Sequence, residues 1–174
     1  MTWSTVHRRG DVLQAVTRAA DERRDGILPM DVTGVRETFG DELTLLAALQ
    51  LRWHTRLSGR IERALLDDPA DQESAVLAAW CATADELAGT RLVLDHYRAE
   101  PLGDAMAAAT TTAAAKERVL MAAMAGRAGA RTEDTLAAGL ALEERARAGH
   151  RRPPAPADRR GHGLLHRIRG HGAA

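Results

Sequence analysis

From Phe39 to Leu65 the apolar side chains Phe39, Leu43, Leu46, Leu49, Trp53, Leu57, Ile61 and Leu65 recur at every third or fourth position. A helix turns once in about 3.6 residues, so this spacing lays one apolar stripe along a rod that other elements must cover. The pattern predicts a long helix over residues 35–66, with Gly40 a place where it can break. Asp41 and Glu42 then suit the positive end of the helix dipole.

The remaining chain reads the same way. The run Asp67-Asp68-Pro69-Ala70-Asp71 ends the long helix and caps the next, whose stripe is Val76, Leu77, Trp80, Ala84 and Leu87, closed by Gly89. An earlier helix is expected between Asp11 and Gly26, followed by an extended connector through Pro29. Three more are expected: residues 91–99 behind Thr90, residues 104–125 with Met106, Ala109, Ala113, Leu120 and Met124 inward, and residues 132–149 through Leu136, Leu140 and Ala146. The chain holds 35 Ala and 21 Leu against one Phe, one Tyr and three Trp, a mix that favours helix over sheet. The reading is all-α: an antiparallel bundle of four to six helices over residues 1–149, of which 1–30 form an N-terminal helix and connector. Alanine runs at 107–109 and 113–115 suit close helix approach.

Beyond Gly149 the composition changes to Pro, Gly, Arg and His, so residues 150–174 read as a disordered basic tail. The formal net charge of zero is a sum of opposites: residues 1–150 carry 18 basic and 23 acidic side chains, and the remainder six Arg and one Asp. No apolar run approaches the ~20 residues of a bilayer span, and the N-terminus lacks the apolar stretch of a leader peptide. The lone Cys81 excludes an intramolecular disulfide. A cytoplasmic protein is expected.

Several constellations bear on chemistry. A di-iron bundle site needs Glu and His three positions apart on each of two helices, and no Glu here has a His at that spacing. No metal or cofactor is expected in the body. Asp95-His96-Tyr97 is the most catalytic-looking cluster, but adjacent helical residues point about 100° apart, so Asp95 serves Arg91 or Arg98 better than His96. An inter-helix cleft near His54 and His96 is the enzymatic alternative. Cys81, among alanines and Asp85, reads as a packed small hydrophobe.

The most unusual feature is the row Arg52, Arg56, Arg60 and Arg63, at intervals of four, four and three beside the Trp53–Leu57–Ile61 stripe. The first three have no carboxylate three or four positions away, while Arg63 can reach Asp67. Such a row repels itself unless something negative lies against it. Either acids from other helices (Glu73, Asp85, Glu86, Asp95, Glu117) supply that charge, or an anionic partner does. Nucleic acid is a further candidate. It would bind through the tail's arginines, or through residues 71–88 and 90–99, which have helix-turn-helix proportions. His162, His166 and His171 in the tail could bind a metal only weakly, because glycine stands on both sides of His162 and of His171.

The stretch from Phe39-Gly-Asp-Glu-Leu to Leu65, above all Leu51-Arg-Trp-His-Thr-Arg-Leu-Ser-Gly-Arg-Ile-Glu-Arg-Ala-Leu65, and later Leu94-Asp-His-Tyr-Arg-Ala-Glu-Pro101, resembles a group of small uncharacterised actinobacterial all-helical proteins with no established activity. The resemblance covers roughly residues 3–130. It implies a helical, cytoplasmic bacterial protein and assigns no functional residue. The weight of these readings falls on binding, assembly or regulation rather than catalysis. The partner is an acidic protein or a second copy of the chain, and no small-molecule substrate is identifiable.

Overall fold

The computed structural model describes residues 3–151. They form seven α-helices and no strand: α1 (Trp3–Arg23), α2 (Val35–Phe39), α3 (Glu42–Asp67), α4 (Gln72–Glu86), α5 (Ala88–Ala99), α6 (Asp104–Met124) and α7 (Thr132–Arg151). None of them is long and apolar enough to cross a membrane. The helix count exceeds four to six because the 35–66 segment is two helices. Gly40 takes φ 79°, a conformation that ends α2 and suits glycine. Asp41 then accepts a hydrogen bond from the Thr44 backbone N–H at 2.7 Å and opens α3. Asp71 caps α4 in the same way, through the Ser74 N–H at 3.0 Å.

Other boundaries differ from expectation. The first helix starts well before Asp11, because no proline interrupts residues 3–11 and Gly10, at an open surface position, costs only ~1 kcal/mol. It ends at Arg23, with Arg24 at φ 49°, before Gly26 is reached. Gly89 does not close α4; it lies in the first turn of α5, two residues past the short break at Leu87. The last helix runs past Gly149 to Arg151, and the tail expected from 150 onward otherwise lies outside the described residues.

At the centre is α3, which packs against α4, α5 and α6 and also touches α1 and α2. Leu45, Leu46, Leu49, Trp53, Leu57 and Ile61 are essentially without solvent contact, so the stripe read from the sequence is the core face. Trp53 meets Trp80 of α4 edge to face, with centroids 5.8 Å apart, a geometry favoured by the ring quadrupoles.

Two glycines set the closest helix crossings. A Cβ on Gly89 would stand 2.2 Å from the Ala20 carbonyl of α1, and one on Gly139 would stand 2.2 Å from the Arg118 carbonyl of α6. Asp21 of α1 also accepts the Gly89 N–H at 2.7 Å, so one helix caps another across this contact.

The inward faces of α6 and α7 agree with expectation at Met106 and Ala146, with Leu120 and Met124 packed partly buried against the core, and differ at Ala109 and Leu140. On α6 the buried residues are Met106, Thr110, Ala114, Glu117, Met121 and Ala122, with Ala109 exposed. On α7 they are Thr135, Gly139, Leu142, Glu143 and Ala146, with Leu140 exposed. The reason is polar: each face buries a glutamate whose partners come from other helices. Thr110 satisfies its hydroxyl by donating back to the Met106 carbonyl at 3.0 Å.

Candidate functional site: an arginine-lined groove

The four arginines lie on one flank of α3, turned away from the Trp53–Leu57–Ile61 core. There they border a groove of about 1180 Å³ between α3, α1 and the end of α4. Its polarity changes along its length. Leu13 of α1 and Leu43, Ala47 and Leu51 of α3 line one part, and Leu51 is 67% exposed. Arg52, Arg56, Arg60 and Arg63 line the other, with Thr55 and Gly59 between them, while Arg9 of α1 contributes at the Leu43 end, next to Phe39. The Arg9 guanidinium is held 4.5 Å above the Phe39 ring and donates to the Thr38 carbonyl at 3.3 Å.

One carboxylate faces this row. Glu86, the last residue of α4, accepts a two-pronged contact from Arg56, Nε at 2.8 Å and Nη2 at 2.7 Å, and also pairs with Arg60, whose Nε lies at 3.2 Å. These guanidinium hydrogen bonds hold the Glu86 carboxyl below its ordinary range. No ion pair to Arg52 or Arg63 occurs among the described residues, Asp67 included, and the Arg52 Nε is shielded from solvent without a hydrogen-bond partner. Of the acids named from the sequence as internal partners, only Glu86 meets the row. Glu73 pairs with Arg127 and Arg145, and Asp85 with His150.

Asp95 and Glu117 belong to a second arginine system, buried where α5, α6 and α7 meet. Glu143, 3% exposed, accepts from Arg98, Arg118 and Arg147, each at 2.9 Å. Asp95 takes Arg91 and Arg147 at 2.8 Å and Arg98 at 3.4 Å. Glu117 accepts the Trp80 indole N–H at 2.9 Å, and Arg91 lies at 3.5 Å from it while its guanidinium sits 4.6 Å over the Trp53 ring. Burial alone would raise the Glu143 pKa, but the surrounding guanidinium groups overcome it and hold the carboxyl down to about 2. They also hold Asp95 below its usual range against its burial, and the same carboxylates raise Arg147. Every charge here is paired from within the fold, so the network joins helices, and only the buried Arg91 Nε among its groups is left without a hydrogen-bond partner. Sequence reasoning found the Asp95 contacts with Arg91 and Arg98. It missed Glu143 and Arg147, which lie four apart on one helix and read as an ordinary surface pair.

The network also bears on two other readings. Asp95 is engaged by three guanidinium groups, so it does not orient His96, whose ring instead packs edge-on to Tyr97 at 4.9 Å. The Tyr97 hydroxyl accepts the Leu28 N–H at 3.4 Å. Neither His54 nor His96 lines the groove, and no group of acids, histidines or cysteine fit to hold a metal occurs among the described residues. Arg91 is only 8% exposed and Arg98 is paired with Asp95 and Glu143, so α5 has lost to the core the groups a recognition helix would aim at bases. Cys81 lies against the Ala146 carbonyl at 3.5 Å, and burial followed by Asp85 pushes its thiol pKa up, away from a nucleophile's. His162, His166 and His171 lie outside the described residues.

Compared with protein-family models, curated proteins and solved structures, the chain matches none.

Proposed function

We propose that this chain is a non-enzymatic helical binding protein, serving assembly or regulation, that engages an acidic protein partner through Arg52, Arg56, Arg60 and Arg63. The single observation that carries the reading is the charge balance of the groove: five arginines border it and Glu86 is the one carboxylate that lines it. Residues 1–150 as a whole carry a net −5, so the groove concentrates positive charge on an otherwise acidic body. Such a contrast steers an anionic partner to one place and raises its association rate. The four-residue link between α3 and α4 supports an antiparallel bundle beneath this surface, and its working place is cytoplasmic.

A labelled polyglutamate probe tests the reading. Full-length protein should bind it in low salt and release it as salt rises, and the pair Arg52→Glu and Arg63→Glu should abolish binding while the helical circular-dichroism signal is kept. These two arginines have no ion-pair partner among the described residues, so their reversal breaks no internal ion pair. Binding that survives both reversal and high salt would end the proposal.

A further inference from the structure

The shape of the groove says more about its occupant than charge does. Its lining runs along α3 from Leu43 to Arg63, which at 1.5 Å per residue is a channel of roughly 30 Å. A second helix, ~10 Å across, can lie along a channel of that length over about five turns. The groove's volume of about 1180 Å³ exceeds the ~300–1000 Å³ of small-molecule sites. Arginines four apart on α3 stand roughly 6 Å from one another along the axis, the same rise that separates carboxylates four apart on a second helix lying alongside. Glu86 already shows the mode of contact, one carboxylate gripped by two arginines a turn apart.

We propose that the groove receives an acidic amphipathic helix of a partner protein. Over about five turns its apolar end lies on Leu13, Leu43 and Leu51, and its carboxylates, spaced by four, engage Arg52, Arg56, Arg60 and Arg63. This rests on the acidic-partner reading above and adds the form of the partner. A nucleic-acid backbone would leave the exposed Leu51 and its apolar neighbours without a role. The leucines anchor one end and the arginines fix direction and register, so a helix entering the wrong way round sets carboxylates against leucine.

Fluorescence anisotropy with full-length protein and three labelled probes of about 20 residues tests this. One is a helix-forming peptide with leucines at one end and glutamates every fourth residue at the other. The second is its scramble, and the third is polyglutamate. The ordered peptide should bind at least about tenfold tighter than the other two and gain helical dichroism on binding. Leu51→Glu in the groove should cost it about tenfold or more, and Leu66→Glu, 84% exposed and outside the groove lining, should cost it nothing. Equal binding of all three probes would overturn the helix proposal and leave the acidic-partner reading standing. Failure of all three would overturn both. Tighter binding to duplex DNA or to phosphatidylglycerol vesicles than to the ordered peptide would overturn the choice of partner. The comparison of probes uses the unaltered protein, so it stands even if a variant fails to fold.

Discussion

Two glutamates with the same type of partner do opposite things. Glu143 is sealed among three arginines and holds helices together, whereas Glu86 sits at the rim of a groove and occupies arginines that an outside acid would use. Glu86→Gln should therefore raise the affinity of an acidic peptide several-fold, an outcome readable by anisotropy, because it removes an internal competitor. For Glu143 the folded-state pKa is depressed to about 2, so its contribution to stability is complete above the ordinary glutamate pKa of ~4.3 and fades as pH falls toward 2. The contribution is on the order of 2 kcal/mol, less than the full shift implies, because the three arginines are partly in solvent and the charges are screened. Glu143→Gln should lose about 2–3 kcal/mol in denaturant unfolding at neutral pH, and the gap from the parent protein should close as the pH is lowered through that window. A gap independent of pH would show that packing, not charge, is what Glu143 provides.

At the level of helices, Gly89 and Gly139 matter more than the alanine runs in which close approach was expected. A methyl group at either would meet the backbone of the crossing helix at 2.2 Å, and backbone cannot give way as a side-chain tip can. Gly89→Ala and Gly139→Ala should each destabilise by about 1–3 kcal/mol net, although alanine is the better helix former by ~1 kcal/mol. Gly10→Ala, in α1 with open space around its position, should instead stabilise by up to ~1 kcal/mol. Thermal melts of the three variants check both signs. Contacts between helices also explain the polar residues buried on α6 and α7. A rule that counts only apolar residues places Glu117, Thr110 and Glu143 outward, and that is wrong where another helix delivers a partner for each glutamate and where Thr110 donates back to the Met106 carbonyl of its own helix.

For the molecule as a whole, the two arginine systems should separate by their response to salt. In the network of α5, α6 and α7 the glutamates and Arg91 are buried and the other groups are partly in solvent, so it is screened less than the groove arginines, which face solvent and are screened within a Debye length of ~8 Å at physiological ionic strength. Raising salt should lower the melting temperature only slightly and abolish binding of an acidic peptide. A parallel fall of both would mean that groove and core are one electrostatic unit. With the five groove arginines and Glu86 set aside, the rest of residues 1–150 carries −9, so an acidic ligand meets repulsion over most of the body.

The sequence by itself determined the helical class, the core face of α3, the cap at Asp71, and the alignment of Arg52, Arg56, Arg60 and Arg63 beside that face. All of these follow from one local period or from a side chain reaching two or three residues along its own chain, so no distant partner is needed to decide them. Tertiary structure alone decided which acid meets the α3 arginines and which arginines enclose Glu143 from other helices, which polar residues of α6 and α7 turn inward, and that Gly89 and Gly139 are crossing points. Those outcomes depend on groups dozens of residues apart, such as Arg56 with Glu86 or Arg147 with Asp95, arriving at one place. Burying a charge is costly until its counter-charge arrives from another helix, and a one-dimensional pattern carries no record of that arrival.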